Sequence, residues 1–329
     1  MSPPERPLAL PRGVASPEGT LGFVRNAHDG IDALRLDAGA LVWRSGVAAE
    51  PVAATELELV AARPSAELPS ALELVVLSVP DQGRVLRECR LVLPEGVVAA
   101  GGQRDFRSSV TLEGRTLRLE WRARTRYRGG APPPEAMARA ARGELQGVLR
   151  CDLETGAVTT EGPPHPVTLG LPPSLPYRVR SVWSEWAWSQ GDGLASLALA
   201  GSAGARELVL ELRSAAESPP RTVALSHGEA FDVQVTPEGR YVFVRLNRPP
   251  SSEWSVFAAA TGRRVASLPY LEDSQWPCVV GARAYYLVTG PGAGAGAGLL
   301  LESADLSAGQ ALWRHDLGRP VRSPAPLPR

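Results

Sequence analysis

The sequence contains no lysine: its 35 basic residues are all arginine, and 35 acidic residues balance them to give no formal net charge. The absence of lysine excludes Schiff-base catalysis by lysine, a lysine-type phosphate loop and a lysine general base. The neutral balance lacks the clustered basic excess that binds nucleic acids or anionic membranes. We therefore expect no nucleic-acid partner and no membrane partner.

Cysteine is also scarce. Cys89, Cys151 and Cys278 are far apart in the sequence, and no Cys-x-x-Cys pair occurs. This odd, scattered set argues against a disulfide framework or a zinc site and fits buried thiols in a reducing compartment. We find no signal peptide and no apolar run that approaches the ~18 residues of a membrane span. The expected location is therefore the cytoplasm.

Arrangements of residues that are typical of catalytic sites are also scarce. The four histidines are spread along the chain: His28, His165, His227 and His315. None lies at metal-ligand spacing from another, and Ser226-His227 and His315-Asp316 lack the Gly-x-Ser-x-Gly context of a nucleophile. Glu56 and Glu58 fit a solvated strand face better than a glycosidase pair. We predict no catalytic, cofactor-binding or metal-binding residues and no cofactor.

What the chain does contain is a glycine-marked turn that occurs five times. The first copy contains Asp37 and Gly39 and is followed by Trp43; the last contains Asp305 and Gly309 and is followed by Trp313. The remaining copies contain Gly83, Gly156 after Asp152, and Gly262. A unit repeated every 40–50 residues or so has the size of a propeller blade.

The segments between the turns alternate apolar and polar residues, as at 206–212 and 241–246, which predicts strands joined by hairpins. Residues 208–212 and 222–225 flank a degenerate turn and supply one further unit. The predicted fold is all-β: a single β-propeller with six blades of four-stranded antiparallel sheets. A seventh blade is the alternative, because two of the gaps between turns are long.

The predicted organisation has three parts. They are a Pro-rich N-terminal tail at 1–19, the propeller at 20–322 with insertions at 128–142 and 162–176, and a C-terminal tail at 323–329. Only three strands are recognisable in the first blade. We therefore predict that the segment after Trp313 adds the missing strand to the N-terminal blade and closes the ring, which pairs otherwise exposed sheet edges.

The composition of the turn has a physical explanation. Glycine tolerates a positive φ, and an Asp or Thr before it can fix the turn by bonding to the nearby backbone. Trp43 and Trp313 each follow their glycine by four residues. We predict that a tryptophan at this position packs between neighbouring blades.

With these turns the chain resembles the PQQ-like (quinoprotein-type, WD40-like) repeat propellers, whose repeat reads approximately Asp-x-x-Thr-Gly-x-x-x-Trp. The matching segments are 37–43 and 305–313, with weaker matches at 152–158 and 258–268. The resemblance implies the propeller fold. Quinoprotein dehydrogenases of this superfamily are larger and have a signal peptide, a calcium site and an adjacent cysteine pair, so quinone binding is not carried over to this chain.

Two local clusters are candidates for binding a partner. The first is a group of tryptophans: Trp183, Trp186 and Trp188. They form either blade packing or a hot-spot patch for a protein. The second is a row of alternating arginines: Arg122, Arg124 and Arg126. They form either a solvated strand face or a surface for an acidic partner.

The preferred hypothesis is a non-catalytic, cytoplasmic propeller that acts as an interaction scaffold for an unidentified protein partner, since loops on rigid scaffolds carry binding. The alternative is a propeller enzyme or redox protein that holds a quinone or metal in the central channel. A third hypothesis is a regulatory propeller encoded beside an ATPase and an adhesion-type domain in a bacterial operon.

Overall fold

The computed structural model describes most of the chain between residues 8 and 318. The described residues are 8–68, 70–94, 97, 106–123, 145–162, 165–166, 186–190, 193–200, 207–214, 221–227, 231–236, 239–246, 253–271, 277–290 and 298–318. Within them the regular elements are all β-strands, and no helix occurs. The strands form six antiparallel sheets, numbered here 1 to 6 in chain order.

The first three sheets are built from residues 9–166. Sheet 1 consists of β1 (Ala9–Leu10), β2 (Gly13–Ala15), β3 (Leu21–Arg25), β4 (Ile31–Arg35) and β5 (Leu41–Ser45). Sheet 2 consists of β6 (Glu50–Ala54), β7 (Glu58–Pro64), β8 (Ala71–Ser78) and β9 (Arg84–Val92). Sheet 3 consists of β10 (Phe106–Glu113), β11 (Thr116–Ala123), β12 (Leu145–Asp152), β13 (Val158–Thr160) and β14 (His165–Pro166).

The last three sheets are built from residues 186–318. Sheet 4 consists of β15 (Trp186–Gln190), β16 (Gly193–Ala200), β17 (Glu207–Ser214) and β18 (Arg221–His227). Sheet 5 consists of β19 (Phe231–Val235), β20 (Tyr241–Leu246), β21 (Glu253–Ala258) and β22 (Arg263–Pro269). Sheet 6 consists of β23 (Cys278–Val280), β24 (Arg283–Thr289), β25 (Leu299–Asp305) and β26 (Gln310–Gly318).

Each sheet is an antiparallel meander, because strands that are neighbours in the sheet are also neighbours in the chain, except that β14 pairs with β12. Four of the sheets have four strands, and sheets 1 and 3 have a fifth. Consecutive meanders of about four strands are the blade topology of a β-propeller. The predicted all-β propeller class is therefore confirmed, and six blades account for the part of the chain that the structure describes.

The chain divides into two compact units: one contains Met1–Pro172, Gly290–Leu300 and His315–Arg329, and the other contains Pro173–Thr289 and Leu301–Arg314. In the first unit, one buried cluster joins sheets 1 and 2 and includes Phe23, Ile31, Leu59 and Val75. A second cluster joins sheets 2 and 3 and includes Leu74, Leu91, Leu117 and Leu119. In the second unit, a cluster that includes Leu210, Val242 and Phe257 joins sheets 4 and 5. A four-stranded sheet has two apolar faces to cover, and these clusters cover them with the neighbouring sheet.

The N-terminal residues differ from the predicted tail. Residues 9–10 and 13–15, which we assigned to the tail at 1–19, form β1 and β2 and complete sheet 1 from its own end of the chain. Leu10, Val14 and Ala15 are buried there. Strands of two and three residues are too short to show a period-two pattern, so no pattern in the sequence indicated them.

The predicted closing strand is not found among the described residues. Residues 310–318 form β26, which is the last strand of sheet 6, and residues 319–329 lie outside the described part. The C-terminal segment nevertheless contacts sheet 1, because the amide of Ala27 donates to the carbonyl oxygen of Leu317 at 2.8 Å. The connection to sheet 1 is thus a backbone hydrogen bond rather than a shared ladder.

Two further parts of the predicted organisation fall mainly outside the described residues. The insertion at 128–142 and the C-terminal tail at 323–329 lie entirely outside them. Of the insertion at 162–176, the structure describes residue 162 and residues 165–166, and the latter form β14.

The predicted glycines Gly39, Gly83, Gly262 and Gly309 each join the last two strands of a sheet, and Gly156 joins β12 to β13 in sheet 3. All five have a positive φ, between 66° and 80°. At four of them the glycine amide donates to the carbonyl oxygen four residues earlier, as from Gly309 to Asp305 at 2.8 Å. The turn is therefore a closed backbone loop that requires a left-handed residue at the glycine position.

The aspartates of these turns do not all have the same role. The carboxylates of Asp152 and Asp305 accept hydrogen bonds from backbone amides two and three residues further along the chain. Asp37 lies only two residues before its glycine and pairs instead with the exposed side chain of Arg35. Asp37 is therefore not the equivalent of Asp305, although both precede a turn glycine.

Trp43 covers the turn glycine of the next sheet. Its side chain is 6% exposed, and its ring centroid lies 5.8 Å from that of Phe23 in the same sheet. A Cβ added to Gly83 would lie 2.7 Å from Cζ3 of Trp43. The indole ring of sheet 1 thus packs directly on the bare backbone that leads into β9 of sheet 2.

Smaller side chains occupy the corresponding place at other turns. A Cβ on Gly156 in sheet 3 would lie 3.6 Å from Sγ of Cys89 in sheet 2. A Cβ on Gly262 in sheet 5 would lie 2.6 Å from Cγ1 of Val223 in sheet 4. In each case a side chain on the outermost strand of one sheet covers the turn of the next. Trp313 in sheet 6 packs on Tyr285 of the same sheet, with ring centroids 5.9 Å apart.

The substitution Gly83→Ala tests how much of this packing depends on the missing Cβ. We expect a loss of about 2–4 kcal/mol in the free energy of unfolding, because left-handed strain of about 1–2 kcal/mol adds to overpacking against Trp43. Gly114→Ala is the matched control, since Gly114 has φ 64° and nothing within 4 Å of an added Cβ. Urea unfolding of both variants measures the difference, and equal losses would contradict the packing account.

Candidate functional site

The predicted tryptophan cluster lies only partly within the described residues. Trp183 and all side chains of β15 lie outside them. The backbone of β15 places Trp186 opposite Leu197 and Trp188 opposite Ala195 on β16. Those two β16 side chains are buried in the core of the second unit. The hypothesis of a tryptophan binding patch is not tested by these residues.

The arginine row is described at one of its three positions, Arg122 on β11, whose side chain is half-buried; Arg124 and Arg126 lie outside the described residues. The same face of sheet 3 carries other arginines that are matched by carboxylates. Arg118 pairs with Glu120, and Arg150 pairs with both Glu161 and Glu113. This part of the face is a charge-balanced network.

A buried carboxylate that the sequence did not identify lies in sheet 1. Asp32 on β4 is fully buried, and Arg44 on the neighbouring strand β5 binds it through two nitrogens, each at 2.7 Å. Nδ2 of Asn26 donates to Oδ1 at 2.7 Å. Nε2 of His315, which is 283 residues away in the sequence, lies 3.0 Å from Oδ2. Each carboxylate oxygen therefore has two partners.

The partners of Asp32 are themselves held in place. Asn26 lies in the turn between β3 and β4, where its side-chain oxygen accepts hydrogen bonds from the amides of His28 and Gly30 at 2.9 and 3.1 Å. His315 lies on β26, two residues before the carbonyl that bonds to Ala27. The sequence analysis considered His315 together with its neighbour Asp316, whereas in the structure His315 pairs with Asp32.

The electrostatics of this cluster favour the ionised carboxylate. Burial by itself would raise the pKa of Asp32, but hydrogen bonds from His315, Arg44 and Asn26 outweigh burial and hold the pKa well below its usual range. A carboxylate offers about four acceptor positions, and the four hydrogen bonds use them. The cluster therefore acts as a polar clip that holds the C-terminal segment to sheet 1.

Sheet 6 repeats half of this arrangement. Glu302 on β25 is buried and pairs with Arg314 on β26. The two residues lie seven positions before and five after Gly309, as Asp32 and Arg44 do around Gly39. Burial and the hydrogen bond to Glu302 raise the pKa of Tyr286 on β24. The repeated spacing of carboxylate, glycine and arginine is the sequence signal that could have identified both pairs.

Sheet 5 contains a largely buried arginine. Arg245 on β20 is paired with Asp232 on β19, and their side chains are 16% and 13% exposed. The guanidinium carbon lies 3.9 Å from the ring centroid of Tyr270 and 5.8 Å from that of Trp254. Stacking on aromatic rings stabilises an arginine whose charge is largely withdrawn from water. This cluster joins three strands of the sheet with the residue that follows β22.

The exposed apolar side chains are concentrated on the outermost strands. Among the described residues, six of the eight exposed large hydrophobic side chains lie on the last strand of a sheet: Leu41 and Val42 on β5, Val85, Leu86 and Val92 on β9, and Leu312 on β26. The other two, Leu57 and Leu68, lie in turns of sheet 2. Single exposed apolar residues are ordinary, but their accumulation on sheet edges marks a candidate binding surface.

Four of these residues form one candidate surface in the first unit, which we call the apolar edge: Leu41, Val42, Val85 and Leu86. Their side chains are 40–48% exposed. Leu41 and Val42 immediately precede Trp43, and Val85 and Leu86 follow Gly83 within three residues. The contact of Trp43 with Gly83 therefore brings the two pairs to the same junction of sheets 1 and 2.

The ionisable residues that the structure describes form no metal-binding group: no set of three or more His, Cys, Asp or Glu residues among them is arranged to hold a metal ion. His28 is exposed, His315 is half-buried, and the side chains of His165 and His227 lie outside the described part. No helix in the described part of the chain is long and apolar enough to cross a membrane.

No protein-family model matches the chain, and no curated protein matches its sequence. Among solved structures, BamB from Moraxella catarrhalis is 12% identical, with 93% of this chain and 76% of that chain covered and a TM-score of 0.29. Sqt1 from Saccharomyces cerevisiae is 10% identical, with coverages of 95% and 87% and a TM-score of 0.38. A europium-containing methanol dehydrogenase is 10% identical, with coverages of 97% and 81% and a TM-score of 0.36. Identities this low transfer no function. The meander sheets and the recurring turns of this chain are those of a β-propeller.

The substitution Asp32→Asn tests the polar clip. We expect a loss of about 2 kcal/mol in the free energy of unfolding at neutral pH, because Arg44 and His315 lose their charged acceptor. The folded pKa of Asp32 is depressed, so its contribution is fully present above the unfolded value of about 3.9 and disappears as the pH falls through the folded pKa. The stability difference between wild type and variant should therefore shrink below about pH 4.

Asp37→Asn is the matched control for this experiment. Asp37 also pairs with an arginine of sheet 1, but both side chains are more than half exposed. Exposed ion pairs contribute little to stability, so we expect almost no change in the denaturant midpoint. Similar losses in the two variants, or a difference that persists unchanged at acid pH, would contradict the role assigned to Asp32.

Proposed function

We propose that this chain is a non-catalytic β-propeller that binds another protein through the apolar edge. The observation that carries the proposal is the concentration of exposed apolar side chains on β5 and β9, the last strands of sheets 1 and 2. An outermost strand presents a row of backbone donors and acceptors on one side. Apolar side chains beside that row are what an added strand requires for affinity and specificity.

The charges near the apolar edge are neutralised within the protein. Arg84 pairs with Asp81, Arg87 with Glu58, and Arg90 with Glu67 and Glu73. Arginines on an edge strand usually oppose indiscriminate strand pairing. Because each of these arginines is paired with a carboxylate of the protein, their side chains limit access to the strand edge without giving it a large net positive charge. The proposed partner is therefore an extended, mainly apolar protein segment with little net charge.

The proposal is tested with the double substitution Val42→Glu/Leu86→Glu. Both residues are exposed, so the fold should be retained, whereas a buried carboxylate in the interface should weaken capture of the partner more than tenfold. Leu57→Glu is the matched control, because Leu57 is 67% exposed but lies in the β6–β7 turn, away from the apolar edge. Tagged wild type and variants are compared by quantitative affinity capture from the native host.

Two outcomes would contradict this function. The first is capture of the same partner at equal yield by wild type and the edge variant. The second is a visible absorption spectrum or stoichiometric metal in the purified wild-type protein, which would support the alternative of a quinone- or metal-containing redox propeller. The matched control separates an effect of the edge from a general effect of added negative charge.

We further propose that the protein works in the cytoplasm. The support is its cysteine usage: no disulfide links Cys89, Cys151 or Cys278, and Cys151 is buried. Cysteines that form no disulfide are typical of a reducing compartment. Fractionation of native cells should recover the protein with cytoplasmic markers, and recovery with periplasmic or membrane markers would contradict the proposal.

A further inference from the structure

Two cysteines that are distant in the sequence meet between sheets 2 and 3. Cys89 lies on β9, the outermost strand of sheet 2, and Cys151 lies on β12, next to the turn that contains Gly156. Cys89 lies close enough to Cys151 to affect the Cys151 thiol electrostatically. Cys89 also packs against the buried cluster to which Cys151 belongs, and its sulfur lies near Gly156. The contact therefore rests on the packing of both strands.

The two sulfurs differ in exposure. Cys151 is fully buried, whereas Cys89 is partly exposed. On β9 the side chains of Arg87, Cys89 and Leu91 point inwards, and their neighbours in sequence are exposed. A soluble reagent therefore reaches the sulfur of Cys89 first, whereas the sulfur of Cys151 is shielded from solvent.

We propose that Cys89 and Cys151 form a reversible disulfide that locks sheet 2 to sheet 3 when the protein meets an oxidised low-molecular-weight disulfide such as oxidised glutathione. Both cysteines are thiols in this structure. The pair is a modification site that is independent of the protein-binding function proposed above.

The chemistry balances as two thiol–disulfide exchanges. The thiolate of Cys89 first attacks one sulfur of oxidised glutathione, whose S–S bond breaks and releases one glutathione thiolate. The thiolate of Cys151 then attacks the sulfur of Cys89, breaks the mixed disulfide and releases the second glutathione. The protein loses two electrons and two protons, and the glutathione disulfide is reduced to two thiols that take up those protons.

The environment of Cys151 sets the speed of the second exchange. Burial and the neighbouring Cys89 raise the pKa of Cys151 to about 12. Only the thiolate attacks, so closure is slow at neutral pH and accelerates about tenfold for each pH unit while the thiol remains protonated. Slow closure keeps the lock open under brief oxidation and allows it to form under sustained oxidation.

The lock lies between sheets 2 and 3, at the position that corresponds to the tryptophan contact between sheets 1 and 2. There Trp43 covers Gly83, whereas Cys89 covers Gly156 with a much smaller side chain. A covalent bond at this junction would supply the cohesion that the smaller side chain lacks. The bond would also close a loop of more than fifty residues. Closing this loop restricts the unfolded chain and thereby stabilises the folded protein.

The experiment uses the full chain equilibrated with mixtures of reduced and oxidised glutathione at pH 8. We expect intact mass to fall by two hydrogen atoms, non-reducing peptide mapping to join the peptides of Cys89 and Cys151, and the melting temperature to rise by about 5–10 °C. All three changes should be reversed by dithiothreitol. Trapped samples taken at several pH values should show the mixed disulfide on Cys89 converting faster as the pH rises.

Two variants control the assignment. Cys278→Ala should respond as the wild type does, because Cys278 lies on β23 in sheet 6. Cys89→Ser should lose the linkage and the thermal shift while it keeps the reduced-state melting temperature within a few degrees. A mixed disulfide that persists on Cys89 at equilibrium, linkage through Cys278, or an oxidised protein with no thermal shift would overturn the proposal.

Discussion

Neighbouring sheets are held together where a side chain of an outer strand packs on the turn glycine of the following sheet. A single four-stranded meander cannot cover both of its apolar faces, so it is stable only against a neighbour. Trp43 on Gly83 shows how close that approach is, because the indole ring occupies the space that a Cβ would need. The left-handed backbone and the missing side chain are both required at this one residue.

Polar clips complement this apolar packing. Asp32 has a full set of hydrogen-bond donors from three separate segments, one of which comes from the far end of the sequence. A buried carboxylate with fewer partners would destabilise the fold, because desolvation of the charge would be uncompensated. The cluster therefore fixes the arrangement of β4, β5 and the C-terminal segment, since each partner must be in place at the same time.

The apolar edge follows from the same contact. The strand that supplies the covering tryptophan is the last of its sheet, so the residues before it are exposed, and the residues after the glycine begin the next outer strand. Packing between sheets thus brings Leu41 and Val42 to the same junction as Val85 and Leu86.

The amino-acid sequence alone predicted the all-β class, a propeller of six or seven blades and the turn glycines, because period-two alternation and glycine spacing are local properties that do not depend on any tertiary contact. It could not determine that Asp32 pairs with His315, that Cys89 meets Cys151, or that residues 9–15 complete sheet 1. Those relations join segments far apart in the chain or strands too short to show a period. They are decided by which sheets pack together, and that depends on the shape and charge of whole surfaces rather than on any local pattern.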